Sequence, residues 1–576
     1  MQSQATELQI FAGGLNLMPA SHLIAQTESL ILANTDVRKL NLTPVMTPLL
    51  QEAASDNFVY HFNNSFVYYD KFRSNQLYNN VWYWSDVANT GKVYPSGATA
   101  NLGIAPPPTR LAISSQDPSG GAEGLEGSIK YVYTYYDPLT GSESPPSPPS
   151  ITLDLIGSEA GKAIAISDIV ISSEGYQTRL YRLGGIITAY SAVVTLEPVI
   201  LSYVDQLDFS EIQAIVLNTL RAYPPPRGLQ YLTQHQGRFY GCVDSKLYFS
   251  AAGKPDSWYA LDFISFDEAI TGIVSVANGI IVMTQLKSWL ITGITPTQFV
   301  KHTLSDSEGC IGFPSIAVNS GAAIWLSTSG FVMSNGSSVQ NISLDRLGRF
   351  KAITPLGAVF IDKRYYLSFV GALFPSDNLL PSDTLYPGTV VNGEGIKVPP
   401  GMLVIDFAMG APAFSTVTDN TIGQLLLANN ELHSINYFEA EASNIVTEDG
   451  LYNIVTEDGA YNIVASTSTG IELTKPLGGS ELRELSYLSP VLIEGSMGTM
   501  KRYEKIRITF SGSLNIVAFD EDSRVFVEET LTSVRRTSTW VGIPVGFNTG
   551  YGIQFAITGK CIVDSILYNW TPKEAQ

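Results

Sequence analysis

The chain has 576 residues, of which 45% are apolar and 15% charged, so it can build several cores and is too long for one ordinary domain. Its 53 acidic and 34 basic residues give a formal net charge of −19. Because nucleic-acid-binding proteins neutralise phosphates with Lys and Arg, this balance excludes a protein that grips nucleic acid over most of its surface.

The cysteines and the amino terminus narrow the class further. Cys242, Cys310 and Cys561 are too few and too widely spaced for a disulfide scaffold or a CxxC metal pattern, so we expect small buried side chains in a reducing compartment. No Lys or Arg precedes Arg38, and no apolar run is long enough to cross a bilayer. We therefore expect a soluble protein without a secretory signal or membrane insertion.

Aromatic strand patterns begin early in the chain. In "FVYHFNNSFVYYD" (58–70), two aromatic runs flank Asn63-Asn64, which predicts a β-hairpin, and "NNVWYWSDV" (79–87) predicts another strand. Two triple-proline runs, "APPPTRLA" and "AYPPPRGLQ", then bracket residues 106–222 as stiff spacers. Between them "KYVYTYY" alternates as a half-buried strand does, and "DPLTG" is a turn, so we expect a fibronectin type III-like β-sandwich at 106–222.

Short strands recur in sets of three or four from residue 223 to 475. "ITGIVSVANGIIVMTQLKSWLITG" and "SIAVNSGAAIWLSTSGFVMSNGSSVQNIS" share this rhythm, with Asn278-Gly279 as a strong hairpin signal. The repetition predicts β-propeller blades, with residues 1–105 as an N-terminal arm and the first propeller strands. Alternating strands in 476–576 predict a C-terminal β-sandwich, so the fold class expected for the whole chain is all-β.

Two segments depart from the blade pattern. Residues 371–400 form a long Pro- and Gly-rich loop, a kind of segment that is usually functional or mobile. "NIVTEDG" occurs at 444 and again at 453, and a truncated copy follows, so a nine-residue repeat fills 444–464. This repeat is either a small β-meander with solvated tips or an acidic surface that faces a partner or a channel. The candidate lumen- or partner-facing residues are Glu448, Asp449, Glu457 and Asp458.

No catalytic motif emerges from the sequence. There is no HExxH, GxSxG or Walker A sequence, and the five histidines are scattered rather than placed at ligand spacing. Acidic clusters such as "DEDS" (520–523) lack the spacing of a calcium loop, and we interpret them as surface charge. We therefore predict a protein that is not an enzyme and holds no cofactor or metal.

Several passages, in their order along the chain, resemble the tail hub or nozzle proteins of short-tailed (podovirus-type) bacteriophages, a family that includes packaged-DNA stabilisation proteins. They are "GGLNLMP", "YVYTYYDPLTGSESPPSPPS", "GRFYGCVDSKLYFSAAGKPDSWY" and "GCIGFPSIAVNSGAAIWLSTSGFVMSNGSSVQNIS". The resemblance implies a virion protein, assembled in the host cytoplasm, that forms a homohexameric ring below the portal adaptor. Its lumen would retain the packaged genome and later release it, and tail fibres or tailspikes would dock outside.

Electrostatics is consistent with such a conduit. A lumen lined with Asp and Glu repels phosphates, so double-stranded DNA would slide through without specific binding. Two alternatives stay open. One is a receptor- or carbohydrate-binding propeller at the virion periphery, with Trp82, Trp84 and Trp258 as sugar platforms, although core packing also explains these residues. The other is a glycan-cleaving enzyme that uses paired carboxylates.

Overall fold

The fold is taken from a computed structural model. It describes residues 3–11, 13–16, 25–86, 88–120, 123–212, 214–347, 353–371, 401–408, 411–419, 421–439, 469–496, 499–546 and 548–573. Within these ranges the protein is built from β-strands, and one four-residue α-helix, α1 (Leu344–Leu347), interrupts them. The predicted all-β fold class is confirmed.

The strands are numbered in chain order. The first half of the chain holds β1 (Gln4–Leu8), β2 (Gly14–Leu15), β3 (Glu28–Ser29), β4 (Ile31–Ala33), β5 (Leu49–Ala53), β6 (Phe58–Phe62), β7 (Ser65–Tyr69), β8 (Ser74–Tyr78), β9 (Val81–Ser85), β10 (Thr90–Val93), β11 (Thr99–Asn101), β12 (Ala112–Gln116), β13 (Gly127–Asp137), β14 (Ser142–Glu143), β15 (Leu153–Leu155), β16 (Ala163–Ser167), β17 (Gln177–Gly184), β18 (Ile187–Leu196), β19 (Tyr203–Asp205), β20 (Gln230–His235), β21 (Arg238–Val243), β22 (Lys246–Ala251), β23 (Lys254–Ser265), β24 (Gly272–Val276) and β25 (Gly279–Met283).

The second half holds β26 (Ser288–Thr292), β27 (Val300–Ser305), β28 (Ala317–Asn319), β29 (Ala322–Ser327), β30 (Gly330–Ser334), β31 (Val339–Asn341), β32 (Ile353–Ile361), β33 (Arg364–Gly371), β34 (Gly401–Asp406), β35 (Ala413–Thr418), β36 (Ile422–Ala428), β37 (Glu431–Glu439), β38 (Thr469–Lys475), β39 (Leu485–Leu488), β40 (Lys501–Phe519), β41 (Val525–Gly542), β42 (Thr549–Gly550) and β43 (Gln554–Pro572).

Six sets of four antiparallel strands form the blades of a β-propeller. The first to fourth blades are β8–β11, β20–β23, β24–β27 and β28–β31, the fifth is β32–β35, and the sixth is β36–β38 with β5 as its outer strand. Consecutive blades touch through their first strands or the strand beside them. The propeller core predicted from the recurring strand sets is therefore confirmed, and strands such as β25, β29 and β34 are buried along almost their whole length because blades pack against both of their faces.

The hairpin β6–β7 closes the ring between the sixth and the first blade. Its Tyr60 and Tyr69 rings lie 5.6 and 6.0 Å from the ring of Trp82 in the first blade. On the sixth-blade side, the backbone N–H of Val59 donates a hydrogen bond of 2.8 Å to the Gln424 side chain. Strand β5 comes from the amino-terminal segment and pairs with β38 to complete the sixth blade. The first and the last strands of the propeller sequence therefore lie in one sheet.

Paired asparagines set several of the tight turns. Asn63 and Asn64 have φ values of 51° and 59°, and Asn79 and Asn80 have 49° and 60°. Two successive residues with positive φ define the two-residue turn whose twist matches a β-hairpin, and Asn tolerates this conformation better than most side chains. The hairpin predicted at Asn63-Asn64 is confirmed by the pairing of β6 with β7.

A β-sandwich is inserted between the first and second blades. One sheet has the order β12-β16-β19, and the other has β14-β13-β17-β18, with β15 also paired to β13. The tyrosines of "KYVYTYY" alternate as predicted, since Tyr131, Tyr133 and Tyr135 enter the core between the sheets. Inside this core the Tyr131 hydroxyl donates to Asp205 at 2.6 Å, and the guanidinium of Arg182 donates to the same carboxylate at 2.9 Å.

A buried ion cluster joins the sandwich to the propeller; we call it the joint. The ammonium of Lys92 in β10 lies 3.1 Å from the Asp137 carboxylate at the end of β13 and 3.0 Å from Asp256 in β23. Tyr94 donates a further hydrogen bond to Asp137 at 2.7 Å. Burial would lower the pKa of Lys92, but the two carboxylates raise it above its ordinary value, so the lysine stays charged. The joint thus connects the first blade, the sandwich and the second blade.

The C-terminal strands are much longer than those of the blades. Strands β40, β41 and β43 have 19, 18 and 19 residues, and they pair in the order β43-β40-β41. Through β39 and β4, this C-terminal sheet is continuous with the fifth blade. Strand β1 pairs with the C-terminal half of β43. The amino-terminal residues therefore connect the propeller to the C-terminal sheet.

Candidate binding surface on the C-terminal sheet

The acidic candidates from the repeat cannot be placed. Glu448, Asp449, Glu457 and Asp458 lie outside the described residues, as do residues 372–400 of the long loop. The tryptophans are placed, and they are not platforms. Trp82 is 3% exposed and Trp258 1%, and the Trp84 ring is covered by the Arg73 guanidinium at 3.6 Å. Core packing, the second explanation considered for these residues, accounts for all three.

The propeller axis holds a cavity of about 570 Å³. The inner strands and the loops beside them line it with aromatic, amide and aliphatic side chains, among them Tyr60, Phe72 and Gln424. Phe313 also faces it, with its ring 4.7 Å from Tyr231 and 5.9 Å from Phe72. No Asp or Glu occurs among the described residues that line this cavity. The cavity on the axis is therefore confined, and its described lining combines apolar and uncharged polar side chains with the cationic Arg73.

The two faces of the C-terminal sheet differ in chemistry because β40 alternates. Ile506 and Ile508 point into the core and are fully buried. The residues between them, Lys505, Arg507 and Thr509, point the other way, since successive side chains of a strand alternate between faces. The Thr509 hydroxyl confirms this arrangement, because it lies 2.8 Å from that of Ser538 across the strand pair. We call this side of the sheet the outer face.

Trp540 is the dominant aromatic side chain of the outer face. It is 46% exposed and lies directly opposite Arg507 in the register of β40 and β41. The Lys505 ammonium is 4.4 Å from the indole centroid, and the Arg507 guanidinium is 5.6 Å from it. Cations are attracted to the negative face of an indole, so these two side chains restrict the movement of the ring. The result is an exposed aromatic ring fixed between two cations.

A surface cleft of about 880 Å³ begins at Thr509 and Ser538, the next pair of outward-facing residues along β40 and β41. Its lining is mostly polar and comes from β1, β40, β41, β43 and the loop before β5: Glu7, Gln9, Arg38, Lys39, Leu40, Asn41, Thr509, Arg536, Thr537, Ser538, Asp564 and Ser565. Thr509 pairs with Ser538 on one side and Ser565 on the other, so hydroxyl groups form the floor. Three cations and two carboxylates stand around it.

The charges around the cleft are only partly neutralised. Arg536 pairs with Asp564, and Arg38 pairs with Asp406 at 2.6 Å. Burial would raise the pKa of Asp564, but hydrogen bonds from Asn41 and Arg536 hold it below its ordinary value. Within the described residues, Lys39 and Lys505 take part in no ion pair. These cations remain available to a ligand.

Sequence reasoning missed this surface. Its signal is present in "KRYEKIRITF", where basic and aliphatic residues alternate, and in "VRRTSTW" on the next strand. A search for catalytic motifs and clustered acids passes over both, because neither stretch contains a motif. What the sequence does not supply is the register that sets Arg507 opposite Trp540.

Comparisons with known proteins leave the family open. No family model matches the chain, and no curated protein is significantly similar to it. Among solved structures, an exo-β-1,3-galactanase from Phanerochaete chrysosporium is 10% identical, covering 80% of this chain and 99% of that one, with a TM-score of 0.21. The N-terminal domain of Nup159 is 11% identical, covering 51% and 86%, with a TM-score of 0.23.

A third match is the extracellular domain of the putative one-component system BT4673 from B. thetaiotaomicron. It is 11% identical, covers 89% of this chain and 78% of that one, and has a TM-score of 0.26. Matches this distant carry no argument, and the fold rests on the sheets themselves. In the part of the chain that the structure describes, no helix is long and apolar enough to span a bilayer, and no group of three His, Cys, Asp or Glu is placed to hold a metal.

Proposed function

We propose that the protein is a structural component of a short-tailed bacteriophage virion, forming the nozzle or hub ring below the portal adaptor. The modules support the proposal, because the resemblance implies propeller-bearing subunits accompanied by a sandwich module, and this chain has a propeller and a sandwich. The joint supports a mechanical role, because a cluster buried among three modules resists bending between them. Such a subunit suits a ring that must hold pressurised DNA.

The genome would pass between subunits and not through a propeller. The axial cavity of about 570 Å³ is narrowed by Phe72 and Phe313, whose rings lie 5.9 Å apart, and it has no room for a duplex. A central lumen then requires several copies around a shared axis. With a net charge of −19 per chain, a lumen built from such copies repels phosphates.

Contacts between copies, or with the adaptor, need apolar surface. The distal end of the sandwich offers it, because Ile156 and Ile186 are 65% and 77% exposed. Ile156 follows β15 and Ile186 follows β17, and both strands end beside the start of β13, near Gly127. Because the joint lies at the other end of β13, both isoleucines stand at the end of the sandwich opposite the joint. A contiguous patch of exposed aliphatic side chains commonly marks an association surface, and we propose that Ile156 and Ile186 belong to such a patch.

Negative-stain electron microscopy tests the ring directly. We would image the concentrated protein alone and with its adaptor ring, and we expect closed six-fold rings with an open centre in at least one sample. Ile156→Asp with Ile186→Asp should abolish the rings. Leu139→Asp, at an exposed position near the joint, is the matched control and should leave them intact. Isolated globules in every sample would contradict the proposal.

One observation favours a second function, receptor or carbohydrate binding. Trp540 presents an exposed ring beside a hydroxyl-lined cleft, an arrangement suited to stacking against a sugar. This function needs no ring, so a monomeric protein that binds glycans would favour it over the first. A glycan array screened with wild-type protein and Trp540→Ala tests it, and loss of binding in the variant is the expected result.

A further inference from the structure

We infer that the outer face around Trp540 binds an acidic glycan, a polysaccharide that carries carboxylate or phosphate groups. The inference rests on the second proposed function and names the ligand class of the same surface. It has three parts: a platform for the sugar ring, cations for its acidic groups, and acceptors for its hydroxyls.

The platform is already assembled without ligand. Lys505 and Arg507 lie 4.4 and 5.6 Å from the centroid of the Trp540 ring, and 46% of this residue remains exposed to solvent. A fixed aromatic side chain loses little conformational entropy when a ligand stacks on it. The apolar C–H face of a pyranose can therefore pack there at low cost.

The cations select for acidic groups. Lys505 and Lys39 have no carboxylate partner within the described residues, and the Arg507 Nε is buried without a hydrogen-bond partner. On a chain of net charge −19, an anionic ligand is repelled by most of the surface and is attracted where cations stand unpaired. Carboxylates or phosphates spaced along a glycan fit this pattern, because a neutral glycan would leave these cations unused.

The carboxylates of the cleft argue for sugar over nucleic acid. Glu7 and Asp564 line the cleft, carboxylates can accept hydrogen bonds from hydroxyl groups, and sugars supply many such donors. Single-stranded nucleic acid is also bound by several aromatic rings at successive bases, whereas this face presents Trp540 alone among its described residues.

The test uses full-length protein on an array of acidic and neutral bacterial polysaccharides, with a 20-residue oligothymidylate as nucleic-acid probe. Wild type should bind acidic glycans, with affinity falling as salt rises. Trp540→Ala should weaken binding at least ~10-fold, and Lys505→Gln should weaken it ~3-fold and flatten the salt dependence. Lys246→Gln is the matched control, because its ammonium also lies 4.4 Å from an aromatic ring, that of Phe263 on the second blade.

Each other outcome refutes the acidic ligand class, the binding function or the choice of a glycan as ligand. Binding of neutral glycans that depends on Trp540 and ignores salt would keep the binding function and refute the acidic class. Absence of glycan binding, or binding unchanged in Trp540→Ala, would refute both. Preferential binding of the oligothymidylate would replace the glycan with nucleic acid. Circular dichroism and melting temperature of each variant separate lost binding from lost folding.

Discussion

Two places in the molecule gather cations beside aromatic side chains, and they use them in opposite ways. At the joint, Lys92 is fully buried, contacts two carboxylates and lies 5.4 Å from the Tyr94 ring. On the outer face, Lys505 stands beside Trp540 and forms no ion pair with any carboxylate that the structure describes. The first lysine holds modules together because its charge is neutralised inside the protein. The second keeps its charge for something outside.

The difference lies in desolvation. A buried ion must find all its partners within the fold, since an unpaired charge away from water is very costly. An exposed ion bears no such cost and contributes little to stability. Burial therefore separates a structural cation from a binding cation more clearly than residue type does.

Removing the buried cation should have the largest effect. Lys92→Met leaves Asp137 and Asp256 buried without a counter-ion, and we expect the free energy of unfolding to fall by about 3–5 kcal/mol in urea denaturation. The control is Lys162→Met, which removes a lysine from an exposed pair with Asp117 and should leave the unfolding midpoint unchanged. An equal effect of both variants would erase the distinction between buried and exposed ion pairs.

Two tryptophans allow buried and exposed side chains to be compared with residues that carry no charge. Trp82→Ala should cost about 3 kcal/mol of stability, because it opens a cavity between the β6–β7 hairpin and the first blade. Trp540→Ala should cost less than about 1 kcal/mol, since its ring is half exposed. Thermal melting of the two variants decides. A large loss in Trp540→Ala would mean that the outer face is structural and not a binding surface.

Acid should act through buried histidines. Burial lowers the pKa of His433 below 6.5, with Lys475 adding to the effect, and burial also lowers that of His235. The unfolded chain then takes up protons first as pH falls, so stability is lost from about pH 6.5 downwards, by at most about 1.4 kcal/mol per pH unit and group. Urea unfolding at pH 7.5 and 5.5 measures this.

The matched variants for the acid effect are His433→Gln and His235→Gln. Each should remove part of the pH dependence between 7.5 and 5.5, and the double variant should remove most of it. Because the ordinary pKa values of Asp and Glu lie near 4, their titration falls largely below this window. An unchanged slope in the double variant would show that other groups carry the acid sensitivity.

The smallest effect on stability should come from the outer-face cations. Lys505→Gln should change the free energy of unfolding by less than about 0.5 kcal/mol, because exposed charges interact through water. The influence of Lys505 should appear in ligand affinity and its salt dependence instead. Stability losses as large as that of Lys92→Met would contradict the contrast between the two regions.

Much of the fold could be predicted from local pattern. Strand alternation in "KYVYTYY" and the paired asparagines at 63–64 report backbone preferences that act within a few residues, and the structure confirms both. The recurring strand sets likewise indicated blades. The number of blades, and the use of β5 to complete the sixth, depend on pairings between residues more than 400 positions apart, such as Leu473 with Glu52.

The candidate surface was harder to predict for a similar reason. Trp82 and Trp540 both lie in strands rich in Trp, Tyr or Thr, and nothing local separates a core indole from an exposed one. Exposure depends on what packs over the strand. The β6–β7 hairpin covers Trp82, whereas no described side chain buries Trp540.

By itself, the sequence determined the all-β class, the positions of many turns, the inserted sandwich and the acidic balance of the surface, because hydrophobic period, turn chemistry and charge count are local or additive properties. Only the tertiary structure decided how the ring closes, that Lys92 meets two distant carboxylates, and that Lys505 and Arg507 support an exposed Trp540. Those arrangements depend on register and on long-range burial, which are set by the packing of whole sheets against one another.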